Sequence, residues 1–133
     1  MKILSGTDLV YMPRISRIIE EGGEGFTGRV LSESEIELFD KAAGLKRKTE
    51  ILAGRFAAKE AAAKALGTGL LADGVGFSDF EILPDDSGRP ILTLKGRAKE
   101  KADSMGVVSV SVSITHDNDY AGAVCTILTD EED

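Results

Sequence analysis

The sequence has few of the features that mark secreted or membrane proteins. Its single cysteine, Cys125, cannot form an internal disulfide and lies in the apolar run 121–128, where a buried side chain is expected. No segment approaches the roughly 20 consecutive apolar residues of a membrane span, and the apolar stretch within 1–8 is too short for a signal peptide. We therefore expect a cytoplasmic protein without a membrane partner.

Positive charge is also in the minority, since 16 lysines and arginines face 23 acidic residues for a net charge of −7. A protein of this charge does not bind nucleic acid through its overall field, so we expect no nucleic-acid partner. The segment 41–64 is an exception, with seven basic residues against Glu50 and Glu60. Such a run is usually a solvated helix face, and it also suits a surface that captures anions.

The first half of the chain is predicted to hold one strand and three helices. These are a strand at 2–9, a helix that starts at Pro13 and is broken by Gly22, Gly23 and Gly25, a helix from the Ser32/Glu35 capping box to Gly44, and a long helix at 46–66 that ends at Gly67. Seven alanines and one internal glycine make the long helix the strongest of these predictions.

The second half is mostly strand. Segments 80–83 and 91–94 flank a turn and predict a hairpin, and segment 95–105 predicts a surface helix. In the next segment, polar residues alternate with Val108, Val110, Val112 and Ile114, as in a half-buried strand. A last strand is predicted at 120–128. The acidic end, 130–133, is expected to fray. A chain of 133 residues suits one core, so we predict a single domain, 1–133, of the α+β class with mainly antiparallel strands against a long helix.

Two carboxylates are candidates for chemistry. Asp8 lies near the end of the first strand, where Gly6 removes side-chain bulk and would let a ligand or a second chain segment come close. Glu60 lies midway along the long helix, one turn before Lys64, and a simple ion pair between these two is the alternative. Mg²⁺ takes one or two protein carboxylates and completes its octahedron with water and phosphate oxygens. Asp8 and Glu60 would suffice if they meet in space.

Four segments together resemble one enzyme family. They are Gly6-Thr7-Asp8 with Arg14, the pattern Phe26-x-x-Arg29-x-Leu31, the run GRFAAKEAAAKALGTG at 54–69, and Ser113-Ile114-Thr115-His116 with Tyr120-Ala121. They follow the family's order from about residue 3 to residue 128, and the run at 54–69 is specific. On these motifs the chain resembles the holo-acyl-carrier-protein synthases, which are magnesium-dependent enzymes with the 4′-phosphopantetheinyl transferase fold.

The resemblance implies a reaction and a set of site residues. Family members transfer 4′-phosphopantetheine from coenzyme A to a serine of apo acyl carrier protein in fatty-acid biosynthesis, and they release adenosine 3′,5′-bisphosphate. The matching positions are Asp8 and Glu60 for Mg²⁺, Glu60 and Lys64 for catalysis, Arg55, Lys64, Gly67 and His116 for coenzyme A, and Arg14 and Arg17 for the carrier protein. The family assembles as homotrimers that bind coenzyme A where two subunits meet.

The implied mechanism is phosphoryl transfer by charge stabilisation. Mg²⁺ and Lys64 would stabilise the negative charge that develops when the serine attacks the β-phosphorus, and Glu60 or a metal-associated water would accept its proton. Two alternatives from other classes are a catalytically silent module that binds coenzyme A or a nucleotide, and a structural oligomerisation domain. A structural hydrogen bond is likewise an alternative role for His116.

Overall fold

A computed structural model describes residues 1–70 and 74–130 of the chain. Its elements are β1 (Lys2–Tyr11), α1 (Met12–Glu20), α2 (Glu24–Val30), α3 (Glu33–Lys41), α4 (Gly44–Leu66), a 3-10 turn (Phe77–Asp79), β2 (Phe80–Pro84), β3 (Pro90–Leu94), α5 (Gly96–Ser104), β4 (Val107–Asp117) and β5 (Tyr120–Thr129). The predicted α+β class is confirmed. The expected fraying at 131–133 lies outside the described residues. Within those two ranges, no helix has the length and apolar character needed to cross a membrane.

The described strands pair into two antiparallel sheets. One has the order β1-β5-β4, and the other is the β2-β3 hairpin predicted from the sequence. The three-stranded sheet packs one face against α4 and so buries Val10, Val112, Cys125 and Ile127. Its other face is exposed, because successive side chains of a strand point to opposite sides.

Helix α4 forms the centre of the fold. The sheet covers one side of it, while α1, α2, α3 and the hairpin pack around the rest. Its alanines at 53, 57, 58, 61, 62 and 63 are fully buried, and their small side chains allow neighbours to approach on every side. Gly67 adopts a φ of 80° and ends the helix in the left-handed conformation, as predicted.

One prediction about the first helices is confirmed in part and another is wrong. Helix α1 ends before Gly22 and Gly23 as predicted, but Gly25 does not break a helix, because it lies with Gly28 inside the short helix α2, which was not predicted. Packing overrides their low helix propensity, since Val30 is 1% exposed and the Phe26 ring stacks on Phe56 with centroids 5.8 Å apart. Helix α3 keeps its predicted capping box but ends at Lys41, and Gly44 starts α4.

The alternation expected along β4 also fails at its start. Val112 is buried and Val110 and Ile114 are half-buried, but Val108 is 54% exposed. The register shifts between Val107 and Ser109, where a bulge inserts one residue. An extra residue reverses which side of the sheet the next side chain faces, so Val107 lies inside in place of Val108.

Candidate functional site

Strand β1 brings Asp8 to the side of α4 that carries Glu60 and Lys64. The ammonium Nζ of Lys64 lies 3.2 Å from Asp8 Oδ1 and 3.0 Å from the carbonyl oxygen of Thr7. Lys64 therefore reaches across to β1 and is more than the local helix partner of Glu60. The contact joins residues 56 positions apart in sequence, so packing of β1 on α4 creates it.

Glu60 belongs to the same cluster of charges. Burial raises the pKa of its carboxyl group, and the negative charge of Asp8 raises this pKa further, while Lys64 lowers it. These influences show that the three charged groups act on one another across the interface of β1 and α4. When a second carboxylate raises the pKa of a carboxyl group, a nearby cation stabilises its ionised form.

The donor set of this cluster suits Mg²⁺. Among the described residues, no group of three or more histidine, cysteine or carboxylate side chains could enclose a metal ion. Two carboxylates leave room for water and phosphate oxygens, which is the coordination that Mg²⁺ prefers. A recess of about 630 Å³ lies beside Asp8 and Lys64 and is lined further by residues of β4 and β5.

A second, separate cavity of about 360 Å³ lies at the first half of α4. Its lining includes Lys41, Arg47, Arg55 and His116 on the cationic side, with Glu50 as the acidic residue among them. We call it the cationic cavity. Arg55 is anchored by its guanidinium, which donates from Nε and Nη2 to the carbonyl oxygen of Ile82 at 3.4 and 3.3 Å. Burial lowers the pKa of this group, and a partly desolvated arginine attracts anions strongly.

His116 also lies in the cationic cavity, next to the end of β4. Its Nε2 donates to the carbonyl oxygen of Glu50 at 3.2 Å, which is the kind of structural bond weighed as an alternative role. Gly54 lies under it, where a Cβ would be only 3.3 Å from Nε2. The structure thus places Arg55 with His116 and Lys64 with Asp8, in two recesses that share no lining residue.

Comparisons with known proteins identify the family. Residues 5–125 match the family model of the 4′-phosphopantetheinyl transferase superfamily. A holo-[acyl-carrier-protein] synthase of Vibrio campbellii is 51% identical over 123 residues, which cover 92% of this chain and 93% of that protein. The chain belongs to the holo-[acyl-carrier-protein] synthases.

Solved structures of this family share the fold. An ACPS–coenzyme A complex from Chronobacterium ammoniagenes superimposes with a TM-score of 0.83 at 37% identity and covers 98% of this chain and 100% of its own. The Helicobacter pylori holo-[acyl-carrier-protein] synthase in complex with coenzyme A gives a TM-score of 0.79 at 35% identity, covering 94% of this chain and 100% of its own. The predicted family and fold are confirmed.

The two residues predicted to bind the carrier protein, Arg14 and Arg17, lie on α1. Arg14 and Arg17 are exposed, while Ile15 between them is buried and fixes the helix. Arg17 lines a recess of about 530 Å³ together with Lys46 of α4. The same recess also carries the acidic residues Glu20, Glu50 and Asp119. The exposed arginines of α1, and not the recess, are therefore the surface that suits a negatively charged protein.

Sequence reasoning missed a buried ion pair directly beside the cluster of Asp8, Glu60 and Lys64. Lys59 precedes Glu60 and is 0% exposed, as is its partner Glu35. The sequence identifies Glu35 only as the N3 residue of a capping box. The signal available was a lysine in the middle of an alanine-rich segment, because a lysine surrounded by buried alanines must find a partner inside the protein.

Proposed function

We propose that Asp8, Glu60 and Lys64 form the catalytic half of a magnesium-dependent phosphopantetheinyl transferase site. The observation that supports it most is the contact of Lys64 with Asp8 at one recess, because both charges also act on the nearby carboxylate of Glu60. As a member of its family, the chain transfers 4′-phosphopantetheine from coenzyme A to a serine of apo acyl carrier protein and releases adenosine 3′,5′-bisphosphate. This is the reaction expected from the sequence.

Each residue of the cluster has a distinct part in the transfer. Lys64 is half exposed and can turn from Asp8 toward the diphosphate of coenzyme A, where its charge stabilises the leaving bisphosphate. Glu60 or a metal-associated water would accept the proton of the attacking serine. Asp8 and Glu60 would hold Mg²⁺, which supplies charge neutralisation at the diphosphate when bound.

The cationic cavity is proposed to bind the nucleotide end of coenzyme A. Arg55 and His116 lie in it with Lys41 and Arg47, so several positive or ionisable groups face one space of nucleotide size. Gly67 is exposed at the end of α4, one turn after Lys64. Its missing side chain would let the diphosphate approach the backbone closely.

A homotrimer with sites between subunits accounts for the separation of the two recesses. The outer face of the three-stranded sheet exposes Ile3, Leu9, Tyr11, Tyr120 and Val124, each 38–71% exposed, and such an apolar surface is usually covered. Leu9 and Val124 also line the recess beside Asp8 and Lys64. A second copy packed on this face would close that recess and bring its own cationic cavity toward it.

Arg14 and Arg17 are proposed to hold the acidic carrier protein at the mouth of this site. Both project from α1, which follows β1 directly, so the helix starts four residues after Asp8. A carrier protein docked there would present its serine near the cluster. We place the reaction in the cytoplasm, where coenzyme A and the carrier protein are available to one enzyme.

Mass spectrometry separates transfer from its alternatives. Apo carrier protein incubated with the chain, coenzyme A and Mg²⁺ should gain the mass of phosphopantetheine, and a carrier protein whose acceptor serine is replaced by alanine should not. Binding of coenzyme A without any mass gain would instead favour a silent binding module. If coenzyme A does not bind and the carrier protein gains no mass, a structural oligomerisation domain is the alternative that remains.

A further inference from the structure

The largest fully buried side chain among the described residues is that of Lys59. Its Nζ donates to Glu35 Oε1 and to the carbonyl oxygen of Val30, both at 2.6 Å. Burial lowers the pKa of this lysine, and the negative charge of Glu35 opposes that change. Both partners are 0% exposed, so neither charge is solvated by water.

Glu35 uses both of its oxygens. Oε1 also accepts from the backbone N–H of Ser32 at 2.8 Å, and Oε2 accepts from the backbone N–H of Ile82 at 2.8 Å. The pair therefore connects the end of α2, the start of α3, the middle of α4 and strand β2. We call these contacts the Glu35–Lys59 junction.

The junction lies between the two halves of the proposed site. Lys59 is followed in the chain by Glu60, and Arg55 lies one turn before it on α4. The carbonyl oxygen of Ile82 accepts from Arg55 while its N–H donates to Glu35. One residue of β2 thus holds both the arginine of the cationic cavity and the carboxylate that pairs with Lys59.

Stability alone is a weak explanation for such a pair. Replacing a buried ion pair by apolar residues of similar volume often leaves a protein as stable or more so, because desolvation offsets the attraction of the charges. The surrounding surface of α4 is made of buried alanines, whose methyl groups make no directional contacts. Three directional hydrogen bonds from α4, in contrast, two from Lys59 and one from Arg55, are satisfied together at one helix position only. One of their acceptors, Glu35, is itself fixed by the backbone N–H groups of Ser32 and Ile82.

We propose that Glu35 and Lys59 are positioning residues of the transferase, which fix the rotation and axial position of α4 and so hold Glu60 beside Asp8 and Arg55 in the cationic cavity. Neither residue contacts the recess of Asp8 and Lys64 through its own charged group. The role rests on the functions proposed for Glu60 and Arg55.

The decisive comparison is between single and double variants. Lys59→Met or Glu35→Gln alone leaves an uncompensated buried charge and should lower the melting temperature. The double variant E35Q/K59M has no buried charge, so it should recover part of the lost stability; the rest stays lost because the new amide has one acceptor oxygen for the N–H groups of Ser32 and Ile82. Its kcat should nevertheless stay about tenfold or more below that of the wild type, because small displacements of reacting groups are costly. Its KM for coenzyme A should rise, while the KM for the carrier protein, which binds α1, should not change.

A matched control is the exposed pair Lys99 and Asp103 on α5, where K99M/D103N should alter neither stability nor kinetics. Full kcat in a stable double variant would overturn the positioning role and leave a purely structural pair. If the double variant does not fold, the single variant Glu35→Gln is assayed well below its own melting temperature and should show the same fall in kcat. A kcat equal to that of the wild type in this single variant would overturn the proposal. A wild-type chain with no transferase activity would instead refute the proposed function.

Discussion

Gly6 of β1 lies directly on the backbone of α4 at Ala61. A Cβ placed on Gly6 would overlap the carbonyl oxygen of Ala61 and lie 2.7 Å from the backbone nitrogen of Ala65. Asp8 is two residues further along the same face of β1, and Glu60 precedes Ala61 on α4. The missing side chain at Gly6 is therefore what allows the two carboxylates to lie together.

We expect Gly6→Ala to disturb this approach. The added methyl group must push β1 away from α4, because its nearest neighbours are backbone atoms that cannot rotate aside. Overpacking of this kind costs about 1–3 kcal/mol of unfolding free energy, and turnover should fall with it as Asp8 separates from Glu60. Thermal denaturation and the transfer assay would measure both effects.

Gly25→Ala is the matched control for this prediction. Gly25 lies inside α2, has an ordinary helical φ, and has no heavy atom within 4 Å of the point where an added methyl group would lie. Alanine should therefore stabilise α2 by about 0.5–1 kcal/mol. A Gly6→Ala variant as stable and active as Gly25→Ala would contradict the importance of the close approach.

Removal of either carboxylate should abolish metal-supported turnover. At the proposed metal site, Asp8→Ala and Glu60→Ala would each leave one protein carboxylate for Mg²⁺, so we expect kcat to fall by about 100-fold or more, with little change in the circular dichroism spectrum. A readout independent of turnover is Mn²⁺ binding measured by calorimetry with coenzyme A present, which should weaken in both variants. Near-normal activity in either variant would show that the metal assignment is wrong.

Glu60→Gln should stabilise the protein when metal is removed by a chelator. The pKa of Glu60 is raised above its ordinary value of 4.5, so the folded state disfavours the ionised carboxylate and binds a proton more tightly than the unfolded state does. Stability therefore rises as the pH falls through the raised pKa toward 4.5. The advantage of glutamine should be greatest near neutral pH, at under about 1 kcal/mol because the group is largely solvated, and should vanish in acid.

Differential scanning calorimetry of both proteins across pH 4 to 8 checks this sign. Glu50→Gln is a useful control, because Glu50 is also on α4 but lies at the cationic cavity, where Arg47 pairs with it at 3.4 Å. Glu50→Gln should not stabilise the protein at any pH in this range. A glutamine variant at position 60 that is less stable than the wild type without metal would contradict the electrostatic account of the cluster.

Local signals explain most of what the sequence predicted. The capping box at Ser32, the left-handed Gly67 and the alanine-rich α4 are each defined by residues within one or two turns, and all three are present. The contact of Asp8 with Lys64 was not predicted, because the packing of β1 on α4 joins distant parts of the chain; the sequence suggests only that Asp8 and Glu60 meet.

The missed features depend on tertiary contacts. Helix α2 forms despite two glycines because Val30 and Phe26 pack on other elements. The bulge that exposes Val108 is set by pairing with β5, and the sequence alternation gave no sign of it. Lys59 looked like one more basic residue of a charged segment, since its partner Glu35 lies 24 positions earlier.

The exposed sheet face should hold the subunits together. Leu9 is 66% exposed in the described chain and lines the recess of Asp8 and Lys64. Leu9→Glu would place a charge in a buried interface and should convert a trimer to monomers, as measured by light scattering, with loss of turnover. Ile91→Glu, at a similarly exposed apolar position on β3, should leave the assembly intact. A trimeric Leu9→Glu variant would argue for a different interface.

Charge reversal at Arg14 should weaken carrier-protein binding selectively. Arg14 is exposed on α1 and lies outside both recesses, so Arg14→Glu should raise the KM for the acidic carrier protein while the KM for coenzyme A and the melting temperature stay constant. The effect should shrink at high salt, because exposed charges are screened. Lys101→Glu makes the same charge change on exposed α5 and controls for net charge. Equal carrier-protein KM values in the two variants would remove Arg14 from the docking surface.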